Sequence, residues 1–219
     1  MTETNNGILA WHFLRDDRRL QFSPCTLVEP GQTLRVEPPL RMCRHGLHAS
    51  IRPIDALQYA PGDMVCRVRL SGVILTDEDK LCASERTVLW MADAARTLRA
   101  FACWCAEQAL ERERAEGHEP DPRSWAAIEA QRAWLRGETS STAREAARED
   151  VWEAARDDRY AGAWIAARAI ARDAAWLVAW EAAWNAANAM QNFIPDALNA
   201  ELERRLMELE PKEGEKSDD

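Results

Sequence analysis

The chain has 219 residues, 47% apolar and 30% charged, enough apolar matter to bury a core in one large domain or two small ones. Its formal net charge of −9 argues against a general nucleic-acid binder, because phosphate neutralisation needs clustered Lys and Arg. No run approaches the roughly 20 apolar residues of a membrane span, and no basic segment leads into an apolar one at the N-terminus, so the expected compartment is the cytoplasm.

Ile8 to Leu14 reads as a short strand. The Pro-Gly pair in Glu29-Pro30-Gly31-Gln32 marks a turn, and Thr33 to Val36 forms a second strand. Pro53 to Tyr59 suits a short helix, with proline in its first turn and Pro61-Gly62 stopping it. Val65 to Leu70 alternates apolar and polar residues, the period of a half-buried strand. Ser71-Gly72 reads as a turn, with Val73-Ile74-Leu75 continuing apolar beyond it.

From about Ser84 the pattern becomes helical. Met91, Ala94, Leu98, Phe101, Cys105 and Ala109 recur at three or four and share one face. Gly117 to Pro120 breaks that helix, Asp121-Pro122 starts another and Gly137 ends it, with Trp125, Ile128 and Leu135 on its buried stripe. Thr142 with Glu145 matches a capping box. Residues 143–190 are rich in alanine pairs and carry Trp152, Trp164, Trp176, Trp180 and Trp184. As one rod this segment would be roughly 70 Å long, and Asp157-Asp158 and Gly162 offer places to fold it back. Beyond Pro195, Leu198, Leu202, Leu206 and Leu209 form a last amphipathic stripe. The expected class is α+β: a small N-terminal mixed β domain over 1–84, an all-α Ala/Trp-rich helical domain over 85–210, and a charged, disordered tail over 211–219.

The six cysteines lie scattered in apolar stretches, the pattern of free thiols in a reducing compartment. Cys43, His45 and His48 have a C-x-H-x-x-H spacing that suits zinc, with Cys66 as a fourth ligand. On a strand, however, Cys43 and His45 share a face and His48 turns away, so hydrogen-bonding histidines and no metal are expected. Cys103 and Cys105 diverge on a helix and read as core. Asp77 to Lys80 reads as a solvated acidic turn before a helix. Trp164, Trp176, Trp180 and Trp184 offer a partner-binding face, against the alternative that they fill gaps between alanine-rich helices. No nucleophile elbow, phosphate-binding loop, metalloprotease or dinucleotide-binding glycine motif is present, and no catalytic residue is assigned.

Three resemblances bear on function. Cys43-Arg44-His45-Gly46-Leu47-His48-Ala49-Ser50, Asp55 to Gly62, Val65 to Gly72 and Asp79-Lys80 resemble a phage and prophage domain family of unknown function over roughly residues 8–86. In many of its members an Ala/Trp-rich helical tail follows and ends near Gln-Asn, as at Gln191-Asn192. Cys105-Ala106-Glu107, Asp121-Pro122-Arg123, Ala127 to Ala130 and Ala133 to Glu138 are similar to helical immunity-protein families found beside polymorphic toxins. More distantly, Gly46-Leu47-His48-Ala49 followed by Tyr59, then Val65 to Gly72, resembles part of the ADP-ribosyltransferase fold. That resemblance implies a pocket of His12, His48 and Tyr59, with NAD as its ligand. The strand bearing that family's catalytic Glu has no counterpart here, since the chain reads as helical after Lys80.

The resemblances imply a non-enzymatic binding protein of phage–host or toxin–immunity conflict, inhibiting a toxin or host-defence protein stoichiometrically without cofactor, direct nucleic-acid contact or membrane. Two alternatives stay open. One is an NAD- or nucleotide-related activity at His12, His48 and Tyr59. The other is an acidic, nucleic-acid-mimicking anti-defence inhibitor.

Overall fold

The structure is a computed structural model that describes residues 7–22, 25–157, 161–171, 173–189 and 195–212. It divides into two compact units, Met1–Ala94 with Glu203–Asp219, and Ala95–Leu202. The first contains strands β1 (Ile8–Leu14), β2 (Thr33–Arg35) and β3 (Leu47–Ala49), helix α1 (Pro53–Leu57), and strands β4 (Met64–Thr76) and β5 (Leu81–Asp93). The second is helical: α2 (Ala95–Ala115), α3 (Pro122–Arg136), α4 (Ser141–Asp157), α5 (Ala161–Ala169), α6 (Ala175–Ala189) and the greater part of α7 (Pro195–Met207). The class is α+β, as the sequence leads one to expect. Among the described residues no helix is long and apolar enough to cross a membrane.

The sheet is antiparallel throughout, in the order β1-β4-β5-β2, with β3 also paired to β5. Its backbone is the β4–β5 hairpin, closed over Asp77 to Lys80 by the Asp77 N–H donating to the Lys80 carbonyl at 2.9 Å. Alternation puts Ala10, Leu14, Cys66, Val68, Leu70 and Val88 into one apolar cluster with Val28, Ala49, Leu81 and Ala83. Trp11 and Phe13, between those β1 positions, are buried as well. The Trp11 ring meets Trp90 edge-on at 5.7 Å and lies under the Arg67 guanidinium at 4.5 Å, while its Nε1 donates to Glu203 at 3.4 Å. α1 packs on β1.

Two expectations change here. Ser71-Gly72 is not a turn: β4 runs through it with a register shift between Ser71 and Ile74, and Gly72 takes the positive φ of 74° at that bulge. The helix expected from Ser84 is strand β5 as far as Asp93, and α2 starts at Ala95. Met91 therefore sits in the sheet, while Leu98, Phe101, Cys105 and Ala109 are buried on α2 as predicted.

In the helical unit the sequence punctuation mostly holds. Asp121 caps α3, its carboxylate accepting from the Arg123 N–H at 2.8 Å, and Gly137 ends it with φ 76°. Ile128 is buried on that helix, and Trp125 and Leu135 are half-buried. α4 is capped not by Thr142 but by Ser140, whose Oγ accepts from the Ala143 N–H at 3.2 Å; Glu145 pairs with Arg148 instead. The described residues of 143–190 form packed helices rather than a rod, with α4 ending at Asp157 and α5 at Ala169. Ala166, Ala167, Ala182, Ala183 and Ala186 are buried, and α2, α5 and α6 pack against one another. The proposed disordered tail falls outside the described residues from 213 onward, as does Gln191-Asn192.

Candidate functional site

Polar side chains gather on the core-facing side of the sheet. His12 stands opposite Cys66 in the β1–β4 register, and His48 opposite Cys82 in β3–β5. Arg86 follows Cys82 and Ser84 on the same face of β5, and its Nη1 donates to the His48 carbonyl at 2.7 Å. Arg86 is 2% exposed. Among the described residues no carboxylate pairs with it, and its Nε has no hydrogen-bond partner. Burial lowers its pKa to about 10, opposed only by the Cys66 sulfur. Burial also pushes the Cys66 thiol up to about 12, against the charge of Arg86.

The loop before β3 fixes His48. Arg41 and His45 exchange backbone hydrogen bonds at 2.8 Å each, turning the chain tightly so that Cys43 takes a φ of 59°. The Cys43 N–H donates to His48 Nε2 at 3.0 Å, and a backbone hydrogen bond to Gly46 engages the ring as well. Both suit the neutral tautomer protonated at Nδ1. His45 Nε2 donates to the Glu37 carbonyl at 2.7 Å. The C-x-H-x-x-H spacing is thus taken up by loop hydrogen bonds, and among the described residues no three of His, Cys, Asp and Glu gather to hold an ion.

Tyr59, just after α1, belongs to an exposed polar cluster at the hairpin turn. Its Oη donates to Asp79 Oδ2 at 2.6 Å, Gln58 Nε2 donates to the same oxygen at 2.7 Å, and Lys80 Nζ donates to Tyr59 Oη at 3.0 Å. The Lys80 ammonium also lies over the Tyr59 ring, 4.6 Å from its centroid. Burial first, then the Asp79 hydrogen bond, raises the Tyr59 pKa. Burial opposes ionisation of Asp79, but hydrogen bonds from Tyr59 and Gln58 with the Lys80 charge hold its carboxyl below the usual value. The turn expected to be merely solvated is a fastening between α1 and the hairpin.

His12 and His48 share the field of Arg86, and Lys80 acts on His48 while binding Tyr59. His12 on β1 and His48 on β3 thus face a common cation, while Tyr59 binds Lys80 at the hairpin turn. Sequence reasoning missed Arg86, because residues beyond Ser84 read as a helix. Gln58, Asp79 and Lys80 stood in the motifs quoted above without an assigned role.

The four tryptophans of the helical unit divide. Trp176 and Trp180 are half-buried, whereas Trp164 is 44% and Trp184 55% exposed. Trp164 meets Trp152 edge-on at 5.0 Å, and Trp184 lies 5.5 Å from Trp180. Trp164 and Trp184 are thus only partly covered by their neighbours.

His12 carries a pH signature. Burial first, then Arg86 and His48, holds its pKa well below the ordinary 6.5. A base kept neutral by the fold takes its proton more readily when unfolded. Stability is therefore full above pH 6.5 and falls as pH drops toward the folded-state pKa, by about 1.4 kcal/mol per pH unit for one such group. His48 pulls the same way. Urea unfolding between pH 7 and 5 is expected to give a flatter stability curve for His12→Asn than for the parent; equal slopes would place the dependence elsewhere.

No curated protein and no solved structure matches this chain. Residues 9–100, from within β1 through all of β5 and into α2, match the model of a domain of unknown function (DUF7666).

Proposed function

We propose that this chain works by stoichiometric binding of a protein partner, as an inhibitor or immunity-type protein of phage–host or toxin conflict in the cytoplasm, without chemistry of its own. The observation that carries the reading is the exposure of Trp164 and Trp184 on helices whose alanine faces are buried. Indoles dominate binding hot spots because they bury a large rigid area at low entropic cost, and a solvated tryptophan forfeits that burial until something covers it. The resemblance of Cys105 to Glu138 to immunity proteins, and of the N-terminal motifs to phage domains, supports the setting. The net charge of −9 supports a basic partner surface, which would be drawn in by long-range attraction.

The test pairs capture with mutation. Tagged protein is expected to retain one protein at 1:1 stoichiometry from host lysate with and without infecting phage. Trp164→Ala and Trp184→Ala are each expected to weaken that complex by about 30-fold, the hot-spot scale of ~2 kcal/mol, with unchanged circular dichroism. A complex indifferent to both substitutions would sink the assignment to these indoles.

A further inference from the structure

A buried guanidinium without a counter-ion is costly, because neither water nor a carboxylate repays the loss of hydration. Arg86 is in that position. Its Nη1 reaches the His48 carbonyl, and among the described residues its Nε has no hydrogen-bond partner and no carboxylate pairs with it. If the carbonyl alone needed a partner, a neutral donor would serve at lower cost.

The surroundings set the charge that Arg86 would favour. His12 retains solvent-accessible surface, yet burial is the largest cause of its depressed pKa. His12 shares the face of β1 that carries Ala10 and Leu14 and stands opposite Cys66, whose thiol lies in the field of Arg86. His48, half-buried, keeps its ring neutral in the same field, and Lys80 adds positive charge toward it. The charged groups acting on these two histidines are thus Arg86 and Lys80, both cationic. Asp79, the acid paired with Lys80, is already shared by Tyr59, Gln58 and Lys80. Cys66 stays a neutral thiol at physiological pH. The field acting on the two histidines is therefore net positive.

We infer that Arg86 anchors an oxyanion site, in which its free Nε edge takes the oxygen of a phosphate or carboxylate group admitted beside His12 and His48. An arginine fork matches such groups in shape and charge, and a low-dielectric setting strengthens the contact. The bound anion also offsets the Arg86 charge that opposes protonation of the two histidines, which gives the site its own spectroscopic reporter.

The experiment follows the ring signals of His12 and His48 by NMR in the full-length protein during titration with inorganic phosphate, acetate or ADP, at constant ionic strength set with chloride. Saturable movement, with a rise of about one unit in the His12 titration midpoint, is expected. Response to phosphate and acetate alike identifies a free small oxyanion as sufficient. Response to ADP alone assigns the site to the phosphate of a larger ligand. Either upholds the inference. Absent or non-saturating movement with all three probes overturns it. Arg86→Gln is expected to abolish the movement, and persistence of the same titration in a folded variant would also overturn the assignment. Should that variant not fold, the parent titration decides alone.

Discussion

Replacing Arg144 with alanine is expected to lower the unfolding free energy by about 3 kcal/mol, the scale for removing one partner from a buried charged hydrogen-bond network. Arg144 lies on α4 but serves α3 and α5 as well. Its Nε donates to Gln131, which is fully buried, and its Nη2 donates to the Ile170 and Ala171 carbonyls at 3.1 Å each. The guanidinium also stacks over Trp134 at 4.8 Å. Those two carbonyls lie just beyond the end of α5, where a helix leaves its last acceptors unmet and its dipole favours a cation. Arg99 reaches the same place from α2, donating to Ala171 at 3.2 Å and to the Asp173 carbonyl at 2.7 Å. Urea unfolding should show a lower midpoint with an unchanged slope. Arg144→Met, which keeps the apolar stem, should recover only a minor part. Full recovery by methionine would show that packing, not the charged network, carries the effect.

Gly46→Ala should cost about 2 kcal/mol or more, because two penalties coincide. Gly46 has a φ of 141°, a conformation L side chains rarely adopt, and a Cβ built there would stand 2.1 Å from Cys82 Sγ. The thiol cannot retreat easily, since Cys82 is buried on β5 opposite His48. A double-mutant cycle separates the terms: Cys82→Gly should relieve the clash and leave the backbone strain. Gly46→Ala should also disturb the His48 ring signals, as the same loop hydrogen bonds hold both. An alanine variant as stable as the parent would mean the loop re-forms elsewhere, and the His48 geometry would fall with it.

The strands with clean alternation, β1 and the first half of β4, were legible in the sequence, as were the caps Asp121 and Gly137 and the proline-started helix α1. β5 was not, for a physical reason. Two of its core-facing positions carry Ser84 and Arg86, so the apolar period of two disappears where it would identify the strand. The spacing Met91-Ala94-Leu98 meanwhile extends the helical period of α2 back across the boundary by coincidence. The candidate site suffered from the same misreading. His12, His48 and Tyr59 stood out by residue type and resemblance, but Arg86 cannot look unpaired until the strand that buries it is known. Ser140 lost the capping role to Thr142 in the sequence because Glu145 completes a box motif, whereas in the fold Glu145 turns to Arg148.

The N-terminal unit is discontinuous in sequence: residues 95–202 separate its sheet from the segment that begins at Glu203. During synthesis the strands emerge first, and the Trp11 indole meets its Glu203 acceptor only after the helical unit has been made. At about 5–20 residues per second that interval lasts on the order of 5–20 s, long compared with collapse of a small domain. The nascent sheet thus passes its first seconds with Trp11 Nε1 and the Arg67 guanidinium lacking the acids of the C-terminal segment, and a ribosome stalled near residue 200 would present it in that unfinished state.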